Sequence, residues 1–284
     1  MCRFTLYMGD PVSLASLITD PDNSLINQSI HAKERLEPLN GDGFGVAWYV
    51  PDHHMPARFR SVSPAWSNAN LAELARVTTS SCVLAHVRAA TQDLEVSEAN
   101  CHPFRWGRYS FMHNGDIKNF KLIRRALLER LSDEAFDLIR GNTDSEHFFG
   151  LVVDHLKRQN ESDSCRSLAD ALRASIMEVQ ALVRSHANHA HIYLNAVLSD
   201  GKNAVATRYS TDPDLIESLY INTGTKYFCD DDGVCHMLEQ EGKTRAVLVS
   251  SEPLNDGAGW EAVPKNHMAL ISADRLIQIQ PLTF

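Results

Sequence analysis

The sequence predicts a layered α+β domain. Apolar residues recur with a period of two near both ends of the chain and with helical spacing between them. With 284 residues, 44% of them hydrophobic, the chain can bury a sizeable core. No internal repeat, low-complexity tract or linker divides it, so one domain over residues 1–284 is the expectation.

The elements follow in order. Residues 2–8 predict a short strand. Residues 11–19 predict a helix opening at Pro11. Residues 20–39 are polar and read as irregular. The turn-rich Asn40-Gly41-Asp42-Gly43 leads into a strand over 43–49. Residues 51–64, with two prolines and His53-His54, read as a loop or hairpin. Leu71, Leu74 and Val77 give 68–77 a helical spacing. Residues 82–87 and 109–113 are compact apolar strands.

Three longer helices are expected next. Residues 119–131 carry Phe120, Ile123, Leu127 and Leu131 at three- and four-residue steps. Residues 144–157 follow Gly141-Asn142-Thr143, a good N-cap region. Residues 168–183 form an amphipathic stripe from Leu168 to Val183. Strands are expected over 192–198, 204–208, 218–222, 246–250, 267–271 and 276–279. Asp200-Gly201 forms the turn between the first two. A small subdomain over 228–243 stays open.

Composition excludes some classes of function. A formal net charge of −9, from 36 acidic and 27 basic residues, disfavours a nucleic-acid binder. No apolar run approaches a membrane span, and the first residues lack the apolar stretch of a signal peptide. The six cysteines are scattered without a CxxC pair, which points to reduced thiols and a cytoplasmic protein. His186, His189 and His191 could ligand zinc by spacing. No carboxylate or thiol lies close by in sequence, and a helix C-terminus suits histidines equally well. No metal or cofactor is expected.

Cys2 stands out by its address. Removal of Met1 would leave a cysteine with a free α-amine, so one residue would hold both a nucleophile and a base. Arg88 emerges where the 82–87 strand gives way to a loop, a natural place to grip a carboxylate with two bonds. A surface arginine at a strand end is the alternative. Asn114-Gly115 follows an apolar strand and can present a side-chain amide beside a backbone N–H, the donor pair of an oxyanion hole. A plain turn is the alternative. Asp144 could bind an ammonium, or could only offset a helix dipole.

Together these segments resemble the class-II glutamine amidotransferase family, which is built on the N-terminal-nucleophile fold. The matching stretches are MCRF at 1–4, NGDGFGVAWY at 40–49, HVRAAT at 86–91, NCHPF at 100–104, FMHNGDI at 111–117 and NTDSE at 142–146. They stand in the family's order. Residues 250–254 and 260–264 extend the likeness towards the C-terminus. The resemblance implies a four-layer αββα sandwich. It implies Cys2 as nucleophile with its α-amine as base, and an oxyanion hole from Asn114 and Gly115. Arg88 would bind the substrate α-carboxylate, Thr91 would line the same loop, and Asp144 would bind the α-amino group. Synthase-type members usually carry an aromatic residue after the arginine and a histidine after the threonine, where this chain has Ala89 and Gln92.

With little chain left for a synthase domain, the sequence resembles the stand-alone branch of the family. That branch includes YafJ-like proteins, the γ-glutamyl hydrolase of ergothioneine synthesis and the amidotransferase-like subunit of the fungal glutathione-degrading complex. Residues 24–29 and 63–68 look most like the last of these. The implied function is hydrolysis of a small γ-glutamyl amide, such as glutamine or glutathione. A glutaminase subunit feeding a separate synthase and a silent γ-glutamyl-metabolite binding module are the alternatives. A peptidase or synthase partner and a homodimer stay open.

Overall fold

A computed structural model of the chain describes residues 2–34, 39–90, 96–159, 164–212, 214–230, 234–239 and 245–284. One sheet has seven strands: β1 (Arg3–Ser13), β2 (Phe44–Trp48), β3 (Ala57–Ser61), β4 (Thr79–Val87), β9 (Tyr220–Gly224), β12 (Ala246–Ser250) and β13 (Trp260–Ala262). Their order is β13-β9-β12-β1-β4-β2-β3. The other has six: β5 (Phe104–Trp106), β6 (Tyr109–Ile117), β7 (Ile192–Ser199), β8 (Ala204–Ser210), β14 (His267–Ile271) and β15 (Ile277–Pro281), in the order β15-β14-β8-β7-β6-β5. Neighbouring strands in both are antiparallel.

Strand alternation builds the layers. Phe4, Leu6 and Met8 of β1 and Cys82 and Leu84 of β4 pack with Met112 of β6, Val197 of β7 and Ala206 of β8 in a core between the sheets. The odd-numbered neighbours Tyr7, Val83 and Ala85 face the other way, against Leu17 of α1 (Ala15–Ile18), Leu25 of α2 (Leu25–Ile30) and Leu71 of α3 (Ala69–Val77). Phe111 and Ile117 of β6 turn from the sheet interface to a second helical layer. That layer comprises α4 (Phe120–Leu128), α5 (Asp133–Leu138), α6 (Asp144–Arg158) and α7 (Cys165–His186). The four-layer αββα sandwich is therefore present.

Several expectations are corrected. The predicted helix over 11–19 is present but starts later and is shorter: β1 continues to Ser13, and the helix spans Ala15–Ile18. The β1–β4 register shifts between Met8 and Val12, a bulge that accommodates Pro11. Residues 20–39 contain α2, whose N-terminus is capped by the Ser24 hydroxyl accepting from the Asn27 N–H. Of the loop or hairpin expected over 51–64 the hairpin is present, since β3 pairs with β2 across it, while β5 and α5 were not expected at all. The 228–243 stretch lies partly outside the described residues. β10 (Lys226–Cys229) and β11 (Cys235–Leu238) make a hairpin there, in which Cys229 faces Cys235 and the two form a disulfide. That pair contradicts the expectation of reduced thiols throughout, because hairpin register rather than sequence spacing brings it together. Among the described residues no helix is long and apolar enough to cross a membrane.

Candidate active site

Cys2 stands immediately before β1, half-buried, with its Sγ 3.7 Å from the Ala89 carbonyl oxygen. Arg3 pairs with Val87 at the end of β4, so Cys2 sits beside the segment that begins at Arg88. Two other thiols are poor nucleophiles: burial pushes Cys82 up to about 12 and Cys101 up to about 11.

Arg88 is not a surface residue. It is 3% exposed, and its backbone clasps the turn before β2. The Arg88 N–H donates to the Gly43 carbonyl at 2.8 Å, and the Asp42 N–H donates to the Arg88 carbonyl at 3.0 Å. Arg88 Nη1 donates to the Asp42 carbonyl at 3.3 Å, while Nη2 is buried without a partner. The Asp42 carboxylate accepts from the Ala90 N–H at 2.8 Å, fixing the first turn of the loop. Gly43 has φ +113°, and a Cβ there would lie 2.6 Å from Cys101 Sγ, so the clasp needs glycine.

The second sheet supplies β6. Met112 faces the sheet interface, and by alternation so does Asn114. Asn114 is 1% exposed, and neither its amide nitrogen nor its amide oxygen has a partner. The Lys118 N–H donates to the His191 carbonyl of the segment entering β7. That sets the phase of the antiparallel ladder: even-numbered backbone groups of β6 point to β7, and odd-numbered ones point away. They point to an edge that β5 leaves open, since β5 pairs only with Tyr109 to Phe111. On that edge His86 Nε2 lies 3.3 Å from the His113 carbonyl oxygen, and the Asp144 carboxylate accepts from the Ile117 N–H at 2.8 Å. The Gly115 N–H lies between these two anchors. A Cβ on Gly115 would overlap the Tyr193 carbonyl and the His113 ring.

Asp144 opens α6 behind the Thr143 cap, whose hydroxyl accepts from the Glu146 N–H at 3.2 Å. Burial raises its carboxyl pKa, against the bonds it accepts from Ile117 and Ser145. Asp116 is raised by burial and by the Asp144 charge. Sequence reasoning passed over Asp116, although its parity with Asn114 within the stretch 111–117 was a usable signal. Thr91 lies outside the described residues.

The structure thus places Cys2 and Arg88 at the ends of β1 and β4 in one sheet and Asn114, Gly115 and Asp144 around the open stretch of β6 in the other, joined by the His86–His113 contact. Two open cavities of about 350 and 460 Å³ lie elsewhere, where β2 ends and β4 begins. They are lined by residues such as His53, His54 and Lys202, and by none of these five. Among the described residues no group of three His, Cys, Asp or Glu side chains could hold a metal.

A four-layer sandwich with a cysteine at the head of its central strand defines a class of amidotransferase, and the comparisons agree: residues 19–281 match the class-II glutamine amidotransferases, and the chain belongs to that family. The chain is 37% identical to the probable glutamine amidotransferase DUG3 of Saccharomyces cerevisiae, over 98% of this chain and 83% of that one. It is 29% identical to the γ-glutamyl-hercynylcysteine sulfoxide hydrolase of Mycolicibacterium smegmatis, over 99% of this chain and all (100%) of that one. A solved glutamine aminotransferase class-II domain protein from Silicibacter pomeroyi superposes with TM-score 0.68 at 26% identity, covering 100% of both chains.

Proposed function

We propose that the chain hydrolyses the γ-amide of a compound with a free glutamyl head, using Cys2 as nucleophile. One observation carries the reading: Asn114 is buried with both amide atoms unpaired, beside the edge on which the Gly115 N–H lies. A buried amide without partners costs stability unless something else is to fill its place. The arriving group would be an oxyanion, held by Asn114 Nδ2 and the Gly115 N–H.

The rest of the substrate follows from what surrounds that pair. Arg88 offers its free Nη2 to an α-carboxylate. Asp144, bound to the Ile117 N–H, lies two residues or about 7 Å along the same edge from Gly115, and would hold the α-ammonium. The Asp116 carboxylate adds a second negative charge beside it. An amino-acid head with its carbonyl at the γ-position spans these points.

Once Met1 is removed, the Cys2 α-amine, with an ordinary pKa of about 7.7–8, takes the thiol proton. The thiolate adds to the γ-carbonyl, and the α-ammonium returns a proton to the leaving amine. Water then cleaves the γ-glutamyl thioester and regenerates the thiol, giving glutamate. The yeast relative's name supports a glutamine-type amide and the mycobacterial relative's name a γ-glutamyl thiol conjugate, and on the latter we favour a γ-glutamyl peptide or thiol conjugate such as glutathione over free glutamine. The test is glutamate release from glutamine, glutathione and other γ-glutamyl conjugates, with Cys2→Ala beside the wild type. Release that survives in Cys2→Ala overturns the reading.

A further inference from the structure

The residue after the nucleophile carries a charge that the reaction does not use. Arg3 is 1% exposed and Glu252, at the head of the 252–254 segment after β12, is 0% exposed. Arg3 Nε donates to Glu252 Oε1 at 3.1 Å, and Nη2 lies 3.0 Å from the same oxygen. The remaining nitrogen, Nη1, donates back to the carbonyl oxygen of Cys2 at 3.0 Å. Glu217 stands 3.9 Å from Nη1 on a partly exposed side. Glu252 is itself held from the opposite direction: Oε2 accepts from the Lys33 N–H at 2.8 Å and Oε1 from the Glu34 N–H at 3.4 Å. Its segment is tied to β1 by the Ser251 N–H on the Phe4 carbonyl and by the Phe4 N–H on the Ser251 hydroxyl, at 3.0 and 3.1 Å.

We propose that Glu252 is a positioning residue for the nucleophile, acting through Arg3. A residue at a chain terminus frays unless something ties it down. Cys2, once terminal, has a single covalent anchor, its peptide bond to Arg3. The guanidinium is a rigid planar fork, so fixing two of its nitrogens on Glu252 aims the third at the Cys2 carbonyl. That bond fixes the Cys2 peptide plane and with it the position of Cα, so that only rotations about the Cα–C and Cα–Cβ bonds are left to place Sγ. A fully buried ion pair is a costly way to gain stability alone, since apolar residues of equal volume usually serve as well. Aiming the carbonyl bond gives this pair a task that apolar residues could not perform.

The inference rests on Cys2 being the nucleophile. Its test uses Arg3→Lys and Glu252→Gln on a γ-glutamyl substrate whose hydrolysis Cys2→Ala abolishes, with rates normalised to folded protein. Lysine keeps the charge and the ion pair but loses the fork. The expected result for both is a kcat about 100-fold lower with KM within about threefold, because a misplaced attacking atom slows chemistry without loosening the glutamyl clamps. A merely structural pair would lower the melting temperature and the folded fraction while leaving normalised kcat unchanged. Wild-type kcat in Arg3→Lys, or a loss confined to KM in either variant, overturns the proposal. Arg3→Lys decides alone if Glu252→Gln does not fold. If no wild-type hydrolysis depends on Cys2, the underlying reading has failed first, and the proposal falls with it.

Discussion

His86 Nε2 lies 3.3 Å from the carbonyl oxygen of His113, and this contact ties the two sheets together next to Arg88 and Asn114. It bonds one of the outward carbonyls on the open edge of β6, on the side of Gly115 opposite Asp144. The position of the proposed oxyanion donors relative to Cys2 thus depends on a bond between a β4 side chain and a β6 backbone.

Acid should loosen that join. Burial lowers the His86 pKa to about 3, and His113 is lowered to about 4, also by burial first. Both therefore fold as neutral rings. Between these values and the unfolded value near 6.5, the unfolded chain binds more protons, so stability rises with pH across that window and is lost as pH falls through it. Each histidine contributes at most about 1.4 kcal/mol per pH unit there. The raised carboxyls of Asp116 and Asp144 act in the opposite sense above the ordinary carboxylate range. Denaturant melts at pH 7 and pH 5 should show lower stability at pH 5, with a smaller drop in His86→Gln. An equal drop in the variant would remove His86 from the account.

Asn114→Ala should lower kcat by about 10²–10³ with little change in KM. The same substitution should leave the melting temperature unchanged or raise it, because it deletes two buried polar atoms that have no partners. Steady-state kinetics and a thermal melt on one preparation read both effects. A stability loss above about 2 kcal/mol would mean that Asn114 is bonded in the folded protein after all.

How much of this was legible depended on whether the signal was local. The central strands and long helices follow from short-range periodicity, and both appear where 82–87, 144–157 and 168–183 predicted them. β1 outran its prediction because Pro11 reads as a helix start unless the bulge against β4 is known. The alternating arginines of β3 look like loop polarity, although Arg58 and Arg60 donate to the carbonyls of Pro103 and Cys101 across the sheets' edge. The site segments could be named from motifs. What no motif carried was the burial of Arg88, the phase of the β6 ladder or the Glu252 carboxylate reaching Arg3, since each depends on strands far apart in sequence.

Gly115→Ala tests the open stretch of β6 directly. The added methyl meets the Tyr193 carbonyl and the His113 ring, so the backbone of β6 must shift. Overpacking of this kind costs about 1–3 kcal/mol. The shift also displaces the N–H proposed as oxyanion donor, so kcat should fall at least as far as in Asn114→Ala. A folded variant with wild-type kcat would exclude the Gly115 N–H from that role.

Asp116 offers the sharpest test of how the substrate head is read. Its carboxyl is raised by burial and by the charge of Asp144, so the two carboxylates repel each other. An α-ammonium placed between them relieves that repulsion, while a head lacking the amine does not. Asp116→Asn should therefore raise KM about tenfold for a γ-glutamyl amide and leave kcat within about threefold. For the matching glutaryl amide, which has no amine, the same substitution should leave KM unchanged or lower it. Comparing the two substrates cancels any general damage to the site, because both must reach Cys2, Asn114 and Gly115 in the same way. Equal changes in KM for the two substrates would show that Asp116 does not sense the ammonium and would leave Asp144 as its carboxylate partner.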